Sequence, residues 1–216
     1  MSATRSPACR TCSSRPSCGT PTRVTTRRCA RSTRACAGCA ATCSTSTSST
    51  GPSRGRSYAE TWRALEKLYA DGRVRAIGVS NFHTRHLQRL FDEFPTTPAV
   101  NQIELHPLLQ QEEMRKVHAT HRIVTEAWSP LAQGALLGRS EITGLAEKYA
   151  KTPAQIVLRW HVQLGNAVIP KSVTPYRIKE NIDIFDFELA QDDMTVIAEL
   201  DNGTRTGPDP DRFNVA

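Results

Sequence analysis

A short loop ahead of a predicted helix has residue types and spacing that could bind phosphate. The loop is Lys171–Thr174, it is followed by Pro175, where we expect a helix to begin, and Arg177 comes two residues later. Helix N-termini and basic side chains both favour phosphate, so this stretch could hold a phosphorylated ligand. The alternative, for a Lys and an Arg taken alone, is an ordinary solvated helix surface.

The cysteines are a second candidate for chemistry, and all seven lie before residue 44. Two pairs, Cys9–Cys12 and Cys36–Cys39, have the Cys-x-x-Cys spacing that a four-ligand zinc site uses. Residues 1–57 contain no His and lack the hydrophobic anchors of a zinc knuckle, which argues against zinc. An odd number of cysteines without a secretory signal argues against a disulfide framework. We therefore expect no metal site.

The charge of the chain is divided unevenly along its length. Residues 1–57 carry ten Arg and no Lys, Asp or Glu, whereas the rest holds eighteen basic and twenty-one acidic residues, so the net +7 is the sum of +10 and −3. An excess of Arg could contact nucleic-acid phosphates without reading sequence. No Phe, Tyr or Trp lies in this segment to stack on bases. A basic arm that binds nucleic acid remains the alternative function, although we expect no nucleic-acid partner.

Residues 1–57 are also too polar to fold on their own. Met1 and Val24 are the only large apolar residues among them, too few to offset the loss of backbone entropy, so we predict a disordered segment. The chain has no run of about 18 apolar residues and no apolar signal region, which predicts neither a transmembrane helix nor secretion. The lack of Cys after residue 43 is compatible with a cytoplasmic protein without a membrane partner.

From Tyr58 onward, predicted helices and strands alternate. The predicted helices are Tyr58–Asp71, His83–Phe94, Gln111–His121, Glu141–Ala150, Pro153–Leu164, Pro175–Asn181 and Gln191–Leu200. The predicted strands are Arg75–Ser80, Val100–His106, Ile123–Ser129 and Ala167–Pro170. This order predicts an α/β fold with a parallel sheet. A whole (β/α)₈ TIM barrel takes about 250 residues, so residues 58–216 are expected to form the second half of one, preceded by the disordered segment.

Several stretches of this second part resemble the aldo-keto reductases. They are Gly78–Phe82, Asn101–Pro107, Ala127–Leu131, Val168–Thr174 and Arg177–Asn181. The match runs from about residue 58 to the end. Trp128, where many members have Tyr, and the short tail at Pro210–Phe213 resemble the bacterial 2,5-diketo-gluconate reductase-like members.

The resemblance implies the fold and the chemistry. Members of the family are (β/α)₈ barrels, usually monomeric, that bind NADPH and reduce carbonyls to alcohols. An NADP-dependent oxidoreductase acting on an aldehyde, a ketone or a keto-sugar is therefore implied here. The small-molecule carbonyl substrate is the expected partner, and the sequence leaves its identity open.

The resemblance also implies where the cofactor would be held. Ser80, Asn81 and Gln102 would hydrogen-bond the nicotinamide carboxamide, and the ring of Trp128 would stack on the nicotinamide. Further contacts are implied for Ser129, Leu131 and Gln133 near the pyrophosphate, for Lys171, Ser172, Val173, Thr174 and Arg177 on the loop at the adenosine 2′-phosphate, and for Glu180 and Asn181 at the adenine. Taken alone, Ser80 and Asn81 could simply cap a strand end, and Trp128 could be core packing.

The four catalytic residues of the family, Asp, Tyr, Lys and His, have no counterparts in the chain as written. If the reading frame is moved back by one base, Ser13–Thr20 can encode Phe-Val-Thr-Thr-Lys-Leu-Trp-Asn and Thr45–Pro52 can encode Asp-Leu-Tyr-Leu-Ile-His-Trp-Pro. The family's Lys and His then fall at Ser17 and Thr50, neither of which can replace them.

A third stretch, Cys36–Cys39, can encode Leu-Arg-Arg-Leu in the same shifted frame. Three matches in the right order predict a frame disruption upstream of Tyr58, whether real or a sequencing error. We therefore predict that the written chain, a fragment of the reductase barrel, has no catalytic residues, is inactive, and forms aggregates or oligomers through unpaired sheet edges.

Overall fold

The computed structural model describes residues 45–46 and 58–210. Its strands are β1 Thr45–Ser46, β2 Ile77–Ser80, β3 Val100–Glu104, β4 Val124–Trp128 and β5 Ala167–Val168. Its helices are α1 Tyr58–Ala70, α2 Thr84–Glu93, α3 Glu112–His121, α4 Ser140–Tyr149, α5 Pro153–Gln163, α6 Pro175–Ile182 and α7 Gln191–Ala198, with a 3₁₀ turn at Ala132–Gly134. The predicted alternation of helices and strands is confirmed.

The strands form one parallel sheet in the order β1-β2-β3-β4-β5. Sequential order with parallel pairing is the arrangement expected of a partial (β/α)₈ barrel, in which each helix returns the chain to the next strand. Thr45 and Ser46, which belong to the segment predicted to be disordered, pair with Ile77 and Gly78. The rest of that predicted segment, with both Cys-x-x-Cys pairs, lies outside the described residues.

Helix starts and strand lengths follow local chemistry. At α5, the Thr152 hydroxyl accepts a hydrogen bond from the Gln155 N–H at 3.3 Å, and the Gln155 side chain accepts one from the Thr152 N–H at 2.9 Å. This reciprocal cap, with Pro153 in the first turn, stabilises the helix start. Strand β5 ends at Val168, earlier than predicted, and Pro170, which has no N–H to donate to a ladder, lies outside it.

Gly78 on β2 is required by a close approach of two strands. A Cβ built on Gly78 would overlap the Val100 side chain and would lie 2.8 Å from the Val100 carbonyl oxygen. Because β2 and β3 are hydrogen-bonded neighbours, that backbone atom cannot move away cheaply. Any side chain at this position would push β2 away from β3.

The outer face of the sheet is packed against helices. Side chains that are almost wholly inaccessible to solvent include Trp62, Leu87, Leu90, Leu105, Ile156 and Trp160. Between α3 and the sheet lies buried His118, whose Nε2 is 3.0 Å from the Asn101 side-chain nitrogen and whose Nδ1 is 2.8 Å from the Thr125 hydroxyl. Burial lowers the pKa of His118 to about 4, so the ring is neutral at pH 7 and links β3 to β4 through hydrogen bonds.

Helix α6 is different from the other helices because it buries none of its residues. Ile178 and Ile182 are 54% and 70% exposed, and Phe185 just beyond the helix is 68% exposed. These apolar side chains follow β5, the last strand of the sheet. Among the described residues, no helix is long and apolar enough to cross a membrane.

Candidate functional site

The side chains implied for nicotinamide binding lie on three neighbouring strands, between the middle and the carboxyl end of each strand. Ser80 ends β2, Gln102 lies in β3, and Trp128 ends β4. Ser80 pairs laterally with Gln102, which in turn pairs with Glu126 on β4. Lateral partners in a parallel sheet point to the same face, so these three polar side chains form a row on one face.

Ser80 is buried, and its hydroxyl donates to the backbone carbonyl of Gln102 at 3.2 Å. The same carbonyl accepts from the Asn81 N–H at 2.8 Å. The hydroxyl therefore helps to close the strand end, which matches the capping alternative. It keeps two lone pairs through which it could accept a further hydrogen bond.

Asn81 and Trp128 are joined across the site. Asn81 has a φ of 60°, the left-handed conformation that Asn tolerates better than most residues. Its Oδ1 accepts a hydrogen bond from the Trp128 indole N–H at 2.8 Å. This bond brings together two residues that are 47 positions apart in the sequence. The Asn81 side-chain NH₂ is left to donate elsewhere.

Gln102 and Glu126 form the second polar pair of the site. The Gln102 side-chain NH₂ donates to Glu126 Oε1. Both side chains are half-buried, so the pair remains reachable from solvent. Glu126 was not predicted from the sequence, although its alternation with Trp128 on the same strand could have indicated it.

The C-terminal segment covers part of Trp128. Gly207 lies so close to the indole that a Cβ built there would overlap Cη2 and would be 3.0 Å from Cζ3. No side chain larger than hydrogen fits against the ring at this point. The ring expected to stack on nicotinamide is therefore also part of a packing contact with the chain's last described segment.

Glu104 anchors that segment, and this residue was not predicted from the sequence either. Its fully buried carboxylate accepts hydrogen bonds from the Thr206 hydroxyl at 2.7 Å and the Gly207 N–H at 3.0 Å, and Arg205 lies 3.5 Å away. Burial would raise the pKa of Glu104, but hydrogen bonds from His106, Thr206 and Gly207 outweigh it and lower the pKa to about 2. The carboxylate is therefore ionised throughout the neutral pH range.

The loop after β4 turns sharply without glycine at its first bends. Ser129, Ala132 and Gln133 have φ values of 51°, 47° and 54°. Such conformations cost non-glycine residues free energy and are frequent at ligand sites. Leu131 is half-buried, whereas Gln133 is exposed and its side chain donates to the Thr206 carbonyl at 3.4 Å. Ser129, Leu131 and Gln133 all lie on the segment that directly follows β4, and their contact with the pyrophosphate stays a prediction.

The predicted phosphate loop precedes α6, which begins at Pro175 as expected. Lys171 and Arg177 are exposed, and within residues 58–210 neither forms an ion pair. Val173 is 83% exposed and Thr174 occupies the N-cap, where the Thr174 N–H donates to the Ser172 hydroxyl at 3.3 Å. The loop and the first turn of α6 thus bring two exposed cations to a helix N-terminus, and neither has an ion-pair partner among the described residues; the Arg177 guanidinium donates to the Tyr176 hydroxyl at 3.3 Å.

Glu180 and Asn181 lie near the end of α6 and are half-buried. The Glu180 backbone carbonyl accepts a hydrogen bond from the Gln155 side chain at 3.2 Å, which joins α6 to α5. Both residues lie on the helix that follows the phosphate loop, and their contact with the adenine stays a prediction.

Comparison with known proteins decides the family. A family model described as "Aldo/keto reductase family" matches residues 39–202, a range that begins before Tyr58. The chain belongs to the aldo/keto reductase family. The resemblance identified from the strand-end motifs is therefore confirmed.

Members of the aldo/keto reductase family are similar to this chain at high identity. An aldo-keto reductase of Mycolicibacterium smegmatis is 59% identical over 157 residues, which are 73% of this chain and 57% of that protein. Methylglyoxal reductase DkgA of Escherichia coli K12 is 55% identical over 158 residues, which are 72% of this chain and 58% of that protein. The chain thus spans little more than half the length of the relatives it matches.

Solved structures share the fold. An aldo/keto reductase from Brucella melitensis superimposes with a TM-score of 0.64 at 58% sequence identity, covering 67% of this chain and 55% of that one. A mutant of Gox0644 in complex with NADPH superimposes with a TM-score of 0.71 at 50% sequence identity, covering 72% of this chain and 58% of that one. At this identity, the fold of the described half is that of the family. The coverage agrees with a sheet that forms part of a barrel.

Proposed function

We propose that this chain carries the cofactor-binding half of an NADPH-dependent oxidoreductase that reduces aldehydes, ketones or keto-sugars to alcohols. One observation carries the proposal: the carboxyl edge of the sheet brings Asn81, Gln102 and Trp128 together. They offer an amide donor, an amide acceptor and a flat ring at the place where barrel enzymes keep their sites. A primary carboxamide needs both a donor and an acceptor.

The phosphate loop supports NADPH as the cofactor instead of NADH. Lys171 and Arg177 are exposed cations without an ion-pair partner in the described part of the chain, and they flank the N-terminus of α6. Such a cluster stabilises a phosphate dianion, which NADP carries on its adenosine ribose and NAD lacks. The NADPH complexes of structural neighbours support the same assignment.

The substrate is proposed to be a small carbonyl compound. When bound, NADPH supplies a hydride, and the described residues would hold its nicotinamide at the carboxyl edge of the sheet. The similarity to a methylglyoxal reductase supports a small aldehyde or ketone as substrate.

Binding is proposed to survive in the chain as written, but turnover is not. Carbonyl reduction needs a proton donor held against the carbonyl oxygen. The chain's tyrosines are Tyr58, Tyr69, Tyr149 and Tyr176, and all lie in helices, away from the carboxyl ends of the strands. The Tyr149 hydroxyl, for example, is hydrogen-bonded to Asp193 and to the Ala190 N–H.

Of the four missing catalytic groups, the Lys and the His are proposed to be encoded in the shifted frame upstream of Tyr58. Strand β1 begins at Thr45, the first residue of the stretch that can encode Asp-Leu-Tyr-Leu-Ile-His-Trp-Pro, and this position supports the proposal. Resequencing the underlying DNA tests it. If the DNA has one uninterrupted reading frame across codons 1–57, and this frame encodes the written residues, the proposal is overturned.

The activity experiment compares the written chain with a frame-restored chain of full length, which would also carry the family's Asp and Tyr. NADPH binding is measured by the change in its fluorescence, and turnover by NADPH oxidation with a panel of aldehydes and ketones. We expect the restored chain to turn over and the written chain to bind without turnover. Comparable turnover by the written chain would show that other residues transfer the proton.

Cofactor choice is tested with Lys171→Ala and Arg177→Ala. Each removes one cation from the phosphate loop and should weaken NADPH binding by about tenfold, which corresponds to about 1.4 kcal/mol, while NADH binding changes little. Lys179→Ala, which changes an exposed cation elsewhere on α6, is the matched control. Equal losses for NADPH and NADH would argue against a role in 2′-phosphate recognition.

A second candidate function rests on the ten Arg of residues 1–57, which could bind nucleic acid through phosphates. A gel-shift assay with this segment alone, at rising salt, tests it. Retarded nucleic acid at low salt would favour the basic arm, and no retardation would remove it.

A further inference from the structure

Two amide side chains at the carboxyl edge are each held by a partner that can form a hydrogen bond in one direction only. The Trp128 indole N–H is a donor without acceptor capacity, and it is bonded to Asn81 Oδ1 at 2.8 Å. An ionised carboxylate can accept hydrogen bonds but cannot donate them, and that of Glu126 accepts one from the NH₂ of Gln102. Without such a partner, a side-chain amide can flip by 180°, because its oxygen and its NH₂ group occupy nearly the same shape.

These partners decide which end of each amide remains for a ligand. With Oδ1 turned to Trp128, Asn81 keeps its NH₂ as a donor. With its NH₂ turned to Glu126, Gln102 keeps Oε1 as an acceptor, and no described residue hydrogen-bonds that oxygen. A flip of the Asn81 amide would place its NH₂ against the Trp128 N–H, two donors. A flip of the Gln102 amide would place its oxygen against the Glu126 carboxylate, two acceptors.

The positions of these residues suit contact with a single ligand group. Gln102 and Glu126 are lateral partners on neighbouring strands, and Asn81 follows directly after Ser80, the lateral partner of Gln102. The side chains of Asn81, Gln102, Glu126 and Trp128 are all half-buried. One donor and one acceptor are thus presented side by side at the same end of the sheet.

We infer that Glu126 and Trp128 are positioning residues that orient Gln102 and Asn81 for a primary carboxamide. The inference rests on the proposed binding of NADPH, whose nicotinamide carries that group. The Gln102 oxygen would accept from the carboxamide NH₂, and the Asn81 NH₂ would donate to the carboxamide oxygen. The nearby charge of Glu126 also disfavours a ligand with a carboxylate in place of the carboxamide.

The first experiment measures discrimination between NADP⁺ and its 3-acetylpyridine analogue, in which a methyl group replaces the carboxamide NH₂. Binding to the full chain is measured by competition with NADPH fluorescence. The written chain should bind NADP⁺ about tenfold more tightly or better, because the analogue leaves the Gln102 oxygen unpaired. In Glu126→Gln the discrimination should fall to about twofold or less, since glutamine can pair with either orientation of Gln102.

A matched control is Glu147→Gln, an exposed residue on α4, which should keep the full discrimination. Far-UV circular dichroism of each variant reports whether the fold is retained. Unchanged discrimination in Glu126→Gln would overturn the role of Glu126, because a purely structural effect weakens both nucleotides equally. If the unaltered chain binds NADP⁺ but does not discriminate, the inference fails while the proposed function stands.

The second variant, Trp128→Phe, tests the other half without depending on the first. It keeps an aromatic ring but removes the indole N–H, so the Asn81 side-chain amide is free to flip. Discrimination between NADP⁺ and the thionicotinamide analogue, whose sulfur is a weaker acceptor than oxygen, should fall in this variant and stay unchanged in Glu126→Gln. A loss shared equally by both variants would argue against separate roles. No binding of NADP⁺ to the unaltered chain would overturn the proposed function, and this inference with it.

Discussion

The carboxylate of Glu104 accepts a hydrogen bond from both the hydroxyl and the backbone N–H of Thr206, a residue 102 positions further along the chain. The same oxygen also accepts from the Gly207 N–H. One buried side chain at the end of β3 thus holds the segment that lies against the Trp128 ring. The last described residues are thereby tied to the candidate cofactor site.

We predict that Glu104→Gln destabilises the protein in a pH-dependent way. The pKa of Glu104 is lowered to about 2 from its ordinary 4.5, so its contribution to stability is complete above pH 4.5 and is lost as the pH falls towards 2. The difference in urea midpoint between the unaltered chain and Glu104→Gln should therefore narrow over this range. The measurement is urea unfolding at fixed protein concentration, with Glu147→Gln as the control. A difference that stays constant with pH would contradict the role assigned to the ionised carboxylate.

We predict that Gly207→Ala weakens NADPH binding. The added methyl would overlap the six-membered ring of Trp128 and displace either the ring or the C-terminal segment. A displaced ring could not stack as proposed, so the dissociation constant should rise by about tenfold, equivalent to 1.4 kcal/mol. Gly138→Ala, where nothing lies near a built Cβ, is the control. Unchanged binding in Gly207→Ala would place the Trp128 ring outside the cofactor contact.

We predict opposite effects for two glycine substitutions within regular elements. Gly78→Ala should lower the free energy of unfolding by about 1–3 kcal/mol, because the methyl group overlaps Val100 on β3. Gly144→Ala, on an open face of α4, should raise it by about 0.5–1 kcal/mol, since alanine favours the helix. Urea unfolding at one protein concentration measures both. A neutral Gly78→Ala would mean that β2 can shift away from β3.

We predict that the written chain self-associates in solution. Ile178 and Ile182 are exposed on α6, the helix that follows β5, and exposed apolar surface favours association. Gel filtration with light scattering should give a mass above the 23.9 kDa of one chain. Ile178→Glu together with Ile182→Glu should shift the distribution towards monomer. A monomeric unaltered chain would contradict this prediction.

Much of the described fold could be predicted from local patterns in the sequence. Helical spacing in α1, the proline in the first turn of α5 and the apolar runs of β2 to β4 are short-range signals, and the elements lie where those signals predict. Strand β1 could not be predicted, because Thr45 and Ser46 have no apolar pattern and pair only where Ile77 and Gly78 are already placed.

The candidate site divides in the same way. The sequence by itself determined the residue types at the strand ends, the phosphate loop before α6 and, through their spacing, the family. Only the tertiary structure decided three contacts. Trp128 fixes the orientation of the Asn81 amide, Glu126 fixes that of the Gln102 amide, and Glu104 accepts a hydrogen bond from Thr206. Each of these contacts joins residues 24 to 102 positions apart, and the direction of each hydrogen bond depends on which side chains meet. Contacts between residues so far apart in the sequence arise from the packing of the whole sheet, which local propensity does not encode.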